Sequence, residues 1–343
     1  IKSAKIMVMV KAFGYGSGGY EVAQFLQTQK VDYLAVAYVD EGVELRNKGI
    51  RMPILVMSPS ALTFESLIKN GLEAELYSIQ ILSQFIEAAR GLRHYFDEIN
   101  IHLKIDSGMH RLGFEQKDLN EVFSLLKSAP FLKVASIFTH LSAADDPSEI
   151  DFSNQQISVF QSMADQLDAS LGYKPMRHAL NSSGVLRYPN YQFDMVRLGI
   201  GLYGFVGTDH NKYLKALGIF KSYIIQIRTV SASESVGYSR GGKHSAERRI
   251  ATVGVGYADG LDRRLGNGKW SLKWQGQNCA IVGNVCMDMV MIDVTSCAAR
   301  EGDEVLIFEG SEDIQKMAEF LETIPYEILT KVSQRVRRVY LQE

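Results

Sequence analysis

The chain has 343 residues, 46% of them hydrophobic, and a formal net charge of −2; that is enough length for two domains with full cores. No long run of like charge points to nucleic acid or an anionic membrane, and no apolar run approaches the ~18–20 residues of a membrane-spanning helix. Cys279, Cys286 and Cys297 are odd in number and lack zinc-ligand spacing, which predicts free thiols in a reducing compartment, most simply the cytoplasm, and no metal site.

Near the start, Lys5 to Tyr20 reads KIMVMVKAFGYGSGGY. The unbroken apolar run Ile6–Val10 fits a strand buried on both faces. Lys11 ends it. Gly14, Gly16, Gly18 and Gly19 then predict a loop that tolerates positive φ and lies close to a ligand. A lysine at such a strand end is a candidate for a Schiff base with an aldehyde, or simply marks where the strand meets water. Further runs follow at Tyr33–Ala37, Ile54–Met57, Ala74–Tyr77, Ile101–Ile105, Val134–Phe138, His178–Leu180 and Met195–Leu198, with amphipathic helical spacing clearest over 60–70, 79–90, 116–128 and 149–170. Strands alternating with helices predict a parallel sheet, and eight of them a (β/α)₈ (TIM) barrel, with a doubly wound open sheet as the alternative.

After Gly204 the texture changes. Ile219–Val230, Ile250–Val255, Asn278–Val282, Val285–Val294 and Glu304–Phe308 are rich in β-branched and aromatic residues, with glycine turns between some of them. They predict a mostly antiparallel β domain, with helical spacing returning near 311–334. The predicted division is 1–207 and 208–343, near Gly207.

Lys11, Lys104, His140, Asn181 and Arg197 fall at or beside the ends of the barrel strands, where barrels build active sites. In LKIDSGMHRLGF (103–114), Arg111 suits an anionic oxygen, although Asp106 offers either Lys104 or Arg111 a plain salt bridge. His140 has the position to stack on an aromatic ligand or relay a proton. In HALNSSGVLR (178–187), Asn181 and Ser182 open a short helix whose N–H groups would suit a phosphate, or cap that helix themselves. Gly199 and Gly201, in MVRLGIGLYG (195–204), would bring further N–H groups to the same anion. In VGVGYADGLD (253–262), Tyr257 precedes a tight turn and is either an acid–base group or an exposed turn residue. GNVCMDMVMID (283–293) reads as a strand with Cys286-Met287-Asp288 at a kink or loop.

In this order, MVKAFGYGSG, LKIDSGMHRLG, HLSAAD, NSSG, RLGIGLYG, VGYADG and VCMD resemble the motifs of the bacterial alanine racemases, pyridoxal-phosphate enzymes of fold type III. The resemblance runs from residue 9 to about 293 and persists weakly to the C-terminus. It implies interconversion of L- and D-alanine, with D-alanine supplied for peptidoglycan. Lys11 would hold pyridoxal 5'-phosphate as a Schiff base. Tyr15, Ser182 with Asn181 beside it, and the Gly199–Ile200 backbone would bind its phosphate. Arg111 would contact its phenolic oxygen, Arg197 its ring nitrogen, and His140 its ring face. Lys104 would be carbamylated, an anion orienting Arg111. Lys11 and Tyr257 would be the two bases on opposite faces of the substrate, and the Met287 backbone would hold the substrate carboxylate. The resemblance also implies a homodimer in which Tyr257 and Met287 come from the partner.

Three departures accompany it. Only ten residues precede Lys11, fewer than the family usually has, which implies a trimmed segment or the tail of a fusion. Phe13-Gly14 stands where the lysine motif usually has Asn-Ala. Gln334, in SQRVRR, stands where the family has a tyrosine at the phosphate, so a looser entrance is expected. The alternatives are a related enzyme acting on other amino acids, which Arg197 argues against for decarboxylation, and a non-catalytic pyridoxal-phosphate carrier, which would lack the β domain.

Overall fold

The computed structural model describes residues 4–206, 214, 215 and 218–341. The chain divides into two compact units, 1–211 and 212–343; the predicted boundary near Gly207 lies outside the described residues.

The first unit is the (β/α)₈ barrel. Its strands are β1 (Lys5–Met9), β2 (Tyr33–Val36), β3 (Ile54–Val56), β4 (Glu73–Leu76), β5 (Ile99–Lys104), β6 (Leu132–Phe138), β7 (Met176–His178) and β8 (Met195–Leu198). They pair in parallel in the order β7-β6-β5-β4-β3-β2-β1-β8. The remaining gap, between β7 and β8, is bridged by Asp194 N–H to Arg177 O at 3.1 Å and Arg197 N–H to Leu180 O at 3.0 Å. The predicted helices are present at Ala61–Lys69, Ile79–Gly91, Gln116–Lys127 and Ile150–Leu171, the first and third opening with a 3₁₀ turn. Strand β7 lies two residues earlier than predicted: Ala179 and Leu180 are fully buried, but just past the strand, so their apolar character reports burial and not extension.

Side chains alternate across a strand, so residues two apart share a face. Glu73 and Glu75 on β4, His102 and Lys104 on β5, Ser136 and Phe138 on β6, His178 on β7 and Arg197 on β8 share one face, and the register pairs Glu75 with His102, His102 with Ser136, and Phe138 with His178. Over five strands this face is polar and buried. The opposite faces of β4, β5 and β6, at Ala74, Ile101, Leu103 and Ile137, join the large apolar cluster that packs the helices, as does Val134, which a register shift opposite Ile101 and His102 sets across the strand from Ser136.

The second unit is mostly β. Strands β9 (Ile219–Val230), β12 (Arg248–Val253), β13 (Ser271–Trp274), β14 (Gln277–Val282), β15 (Val290–Asp293) and β16 (Glu304–Glu309) close an antiparallel barrel in the order β12-β15-β14-β13-β16-β9; β10 (Ser235–Val236) and β11 (Gly242–Lys243) form a small hairpin. The segment 283–289 is a loop and only 290–293 is strand, so the predicted run Val285–Val294 is strand in its last part alone. The helical stretch expected over 311–334 is two helices, Gly310–Phe320 and Pro325–Lys331. Pro325 explains the break, because it holds Ile324 in extended backbone and opens the next helix at its first turn. Among the described residues, no helix is long and apolar enough to cross a membrane.

Candidate active site

Only Val10 separates Lys11 from β1, but the glycine-rich segment after it is a left-handed helical turn and not an open loop. Ala12, Phe13, Gly14 and Tyr15 have φ of 51°, 56°, 60° and 51°. For the three non-glycine residues this conformation costs about 1–2 kcal/mol each. The surroundings over-determine it, as strained functional turns require. Glu41 accepts Ala12 N–H through one carboxylate oxygen at 2.7 Å and Ala37 N–H through the other at 2.7 Å. Gly14 N–H reaches Val10 O at 2.9 Å, and Tyr15 stacks on Tyr203 with ring centroids 4.7 Å apart. The turn fixes the half-buried Lys11 over the strand end. Burial lowers its pKa, and the positive charge of Arg111 lowers it further, against the pull of Glu41 and Glu75. A fraction of neutral amine near physiological pH is what a Schiff-base lysine needs.

Asp106 pairs with neither Lys104 nor Arg111. Its carboxylate accepts Gly108 N–H at 2.9 Å and His110 N–H at 3.0 Å, shaping the turn that carries Arg111. Lys104 pairs instead with Glu75, Nζ to Oε1 at 2.9 Å, both side chains being buried.

Arg197 is fully engaged except at one atom. Nη2 donates to Thr139 O at 2.7 Å and Ala179 O at 2.9 Å and lies 3.4 Å from His140 Nδ1; Nη1 donates to His178 O at 3.3 Å and lies 2.6 Å from His178 Nδ1. Nε carries no hydrogen bond among the described residues. Burial pushes the guanidinium down to about 10, so it is still a cation at neutral pH.

A cation facing His178 Nδ1 makes that nitrogen an acceptor. His178 Nε2–H then donates to Ser136 Oγ at 2.9 Å, Ser136 to His102 Nδ1 at 2.6 Å, and His102 Nε2–H to Glu73 at 2.6 Å. Every bond in this buried chain runs from Arg197 toward a carboxylate, which fixes the guanidinium as a donor. His178 also stacks on Phe138 at 4.7 Å.

Burial pushes His140 and His178 well below the usual histidine pKa, helped by Arg197 in both cases. Below about pH 6.5 the unfolded chain therefore binds protons that the folded chain refuses. Stability falls as pH drops through this range, by up to about 1.4 kcal/mol per pH unit for each histidine. Denaturant titrations at pH 7.5 and 5.5 should show the loss, and His140→Asn should remove about one proton from the slope; an unchanged slope would mean that His140 is charged in the fold.

Ser182 sits buried at the foot of the helix Ser182–Arg187. Its Oγ accepts Gly199 N–H at 2.9 Å and Gly201 N–H at 3.1 Å. The two glycine N–H groups expected on an anion are thus held by a hydroxyl, the nearest acceptor. With two donors bound, that hydroxyl has its own proton to offer outward. Ile200 opens the 3₁₀ turn Ile200–Tyr203, and as its first residue it has no acceptor for its N–H within the turn. A Cβ on Gly199 would stand 3.1 Å from the Tyr15 hydroxyl, so any side chain there would push that hydroxyl out of the cradle. Asn181 is a helix cap, its Oδ1 accepting Gly184 N–H at 2.9 Å; its side-chain oxygen is committed to the fold, not to a phosphate.

In the second unit, Tyr257 and Met287 are neighbours. Tyr257 N–H donates to Cys286 O and Ala258 N–H to Met287 O, both at 3.0 Å. A Cβ on Gly256 would lie 2.3 Å from Met287 O, so the approach requires glycine. Both side chains are exposed, Tyr257 at 45% and Met287 at 53%. Arg335 bonds Asp259 and Asp288 at 2.7 Å each, tying the segment around Gln334 to this turn.

Glu75, Glu41, His178 and the chain Ser136–His102–Glu73 were not singled out in the sequence. One signal was there: GLEAEL and NIHLK place polar residues two apart inside apolar strands, the pattern of a polar barrel interior.

Few chemistries need a low-pKa amine, an open donor on a buried cation, and a hydroxyl-and-glycine cradle at one barrel mouth. The class so defined is a (β/α)₈ barrel with a lysine amine, an open guanidinium donor and an anion cradle at the C-terminal ends of its strands. Residues 1–206 match the family model described as alanine racemase, N-terminal domain, and 219–340 that of the C-terminal domain. An alanine racemase of Helicobacter pylori (strain P12) is 35% identical over 99% of this chain and 93% of its own. The solved structure of an alanine racemase from Clostridium difficile 630 superposes with a TM-score of 0.92 at 34% identity, covering 99% of this chain and 90% of that one. One from Bartonella henselae, with covalently bound pyridoxal phosphate, gives 0.87 at 26% identity, covering 99% and 94%. The chain belongs to the alanine racemase family.

Proposed function

We propose that this protein interconverts L- and D-alanine with pyridoxal 5'-phosphate as its cofactor, working in the cytoplasm as a homodimer with shared sites and supplying D-alanine for peptidoglycan. The observation that carries the reading is Arg197: a buried guanidinium with every donor nitrogen used except Nε, at the mouth that also holds Lys11. When bound, the cofactor supplies the electron sink that acidifies the Cα–H of alanine.

The chain's own residues do the rest. Lys11 Nζ holds the aldehyde carbon. Ser182 Oγ–H, the Tyr15 hydroxyl and the Ile200 N–H hold the phosphate. Arg111 holds the phenolic oxygen, and the neutral His140 lies against the ring. Arg197 Nε donates to the ring nitrogen. At neutral pH it keeps its proton, because even after burial its pKa stands near 10. Negative charge on the ring is therefore limited, which disfavours transamination. Once the substrate amine has taken its place on the aldehyde carbon, the freed Lys11 amine would take or return the Cα proton on one face, and Tyr257 of the partner subunit would do so on the other; the Met287 backbone there would receive the substrate carboxylate.

The test is D-alanine formation from L-alanine by protein supplemented with pyridoxal phosphate, read by a D-amino-acid oxidase assay. No D-alanine from fully loaded protein would refute the reading. The lowered pKa of Lys11 carries its own expectation. Cofactor-free protein should load with a pH midpoint below the 10.5 of an ordinary lysine, followed by the visible absorbance that loading creates. A midpoint at or above 10.5 would show that Lys11 is not the amine that reacts.

A further inference from the structure

The barrel mouth contains a buried ion pair, Glu75 with Lys104, that the reaction above does not use. Glu75 is fully buried; its Oε1 lies 2.9 Å from Lys104 Nζ, and its Oε2 has no hydrogen-bond partner. Among the described residues it is the one carboxylate with 0% exposure. Lys104 is 4% exposed, its Nζ 5.7 Å over the Phe138 ring. Lys104, Arg197 and Arg111 act on Glu75 electrostatically, and Lys11 feels both Glu75 and Arg111. Burial raises the Glu75 carboxyl above the usual carboxylate range, and the three cations oppose that shift without cancelling it. Two of these cations, Lys104 and Arg197, are buried, and buried cations are stable only with an anion among them.

Carbamylation of Lys104 would convert the amine and CO₂ into a carbamate, with release of one proton. That step must first remove the proton that Glu75 holds on Nζ. It then leaves two carboxylates side by side, a repulsion of about 4 kcal/mol at 4 Å and an effective dielectric of 20.

We propose that Glu75 is the built-in anion of this site: it keeps Lys104 as an unmodified ammonium, and its open oxygen positions Arg111, so the chain needs no carbamate. Glu75 is a positioning residue. Its action through Arg111 rests on the function proposed above; the state of Lys104 does not.

The experiment incubates holoenzyme with ¹³C-bicarbonate and looks for a carbamate carbon by ¹³C NMR. Wild type should show none, and its activity should ignore added bicarbonate. Glu75→Ala removes the anion and opens the space, so it should gain a carbamate signal that Lys104→Met abolishes, and bicarbonate should raise its activity at least tenfold. A Lys104-dependent carbamate in wild type overturns the proposal, whatever the activity. Should Glu75→Ala fail to fold, the wild-type spectrum still decides the state of Lys104, and the isosteric Glu75→Gln decides the positioning. Its loss in kcat/KM should shrink severalfold in an Arg111→Lys background if Glu75 acts through Arg111; equal losses in the two backgrounds refute that role.

Discussion

Arg197→Lys is expected to lower racemisation at least ~100-fold and to weaken the barrel at the same time. Lysine keeps the charge but not the fork. Its three donors on one atom cannot reach Thr139 O, Ala179 O, His178 and a ligand together, as Arg197 is placed to do. Losing one preorganised donor from the place where charge develops costs about 10²–10³ in kcat. Each buried acceptor left without its donor costs about 1–3 kcal/mol. The damage should also travel. Without a guanidinium at Nδ1, His178 is free to change tautomer, and the directed chain through Ser136 and His102 to Glu73 loses its orientation. Steady-state kinetics and a denaturant titration of the same variant measure both effects. A stable variant with near-normal turnover would show that the fork is not what the site uses. A destabilised variant with normal kcat would place the role of Arg197 in the fold alone.

The barrel was readable because its signal is repeated. Eight apolar runs, spaced by amphipathic stretches, leave few architectures open, and a slip of two residues at β7 does not alter the topology. Lys11, Lys104, His140, Asn181 and Arg197 were legible by position, since each falls at or beside the end of an apolar run. What escaped was set by tertiary context. The left-handed turn after Lys11 has Ala12, Phe13 and Tyr15 at positive φ, and none of these residue types asks for it. It exists because Glu41, on the next βα unit, holds Ala12 N–H. Glu75 looks like a stray charge in a strand until its facing residue on β5 is known. The 3.1 Å limit at Gly199 and the 2.3 Å limit at Gly256 are likewise facts about neighbours far along the chain. β13 was missed because its strict alternation, SLKW, runs over only four residues.

The second base is tested by complementation. Lys11→Ala and Tyr257→Phe should each nearly abolish racemisation in a homodimer, because removal of a proton on one face must be matched by delivery on the other. Lys11 belongs to the parallel barrel and Tyr257 to the β unit, and in the proposed dimer a working site takes one from each chain. In a mixed dimer, one site then carries both substitutions and is dead. The other takes Lys11 from the Tyr257→Phe chain and Tyr257 from the Lys11→Ala chain, and is intact. Random exchange of equal amounts gives about half heterodimers with one working site of two, so roughly a quarter of wild-type activity should return, the consequence of an isologous interface. Subunit exchange is followed independently with differently tagged chains. If tagged heterodimers form and activity stays at the level of the single variants, Tyr257 serves its own chain or is not the base. If activity returns in proportion to the heterodimer fraction, the two bases come from different subunits.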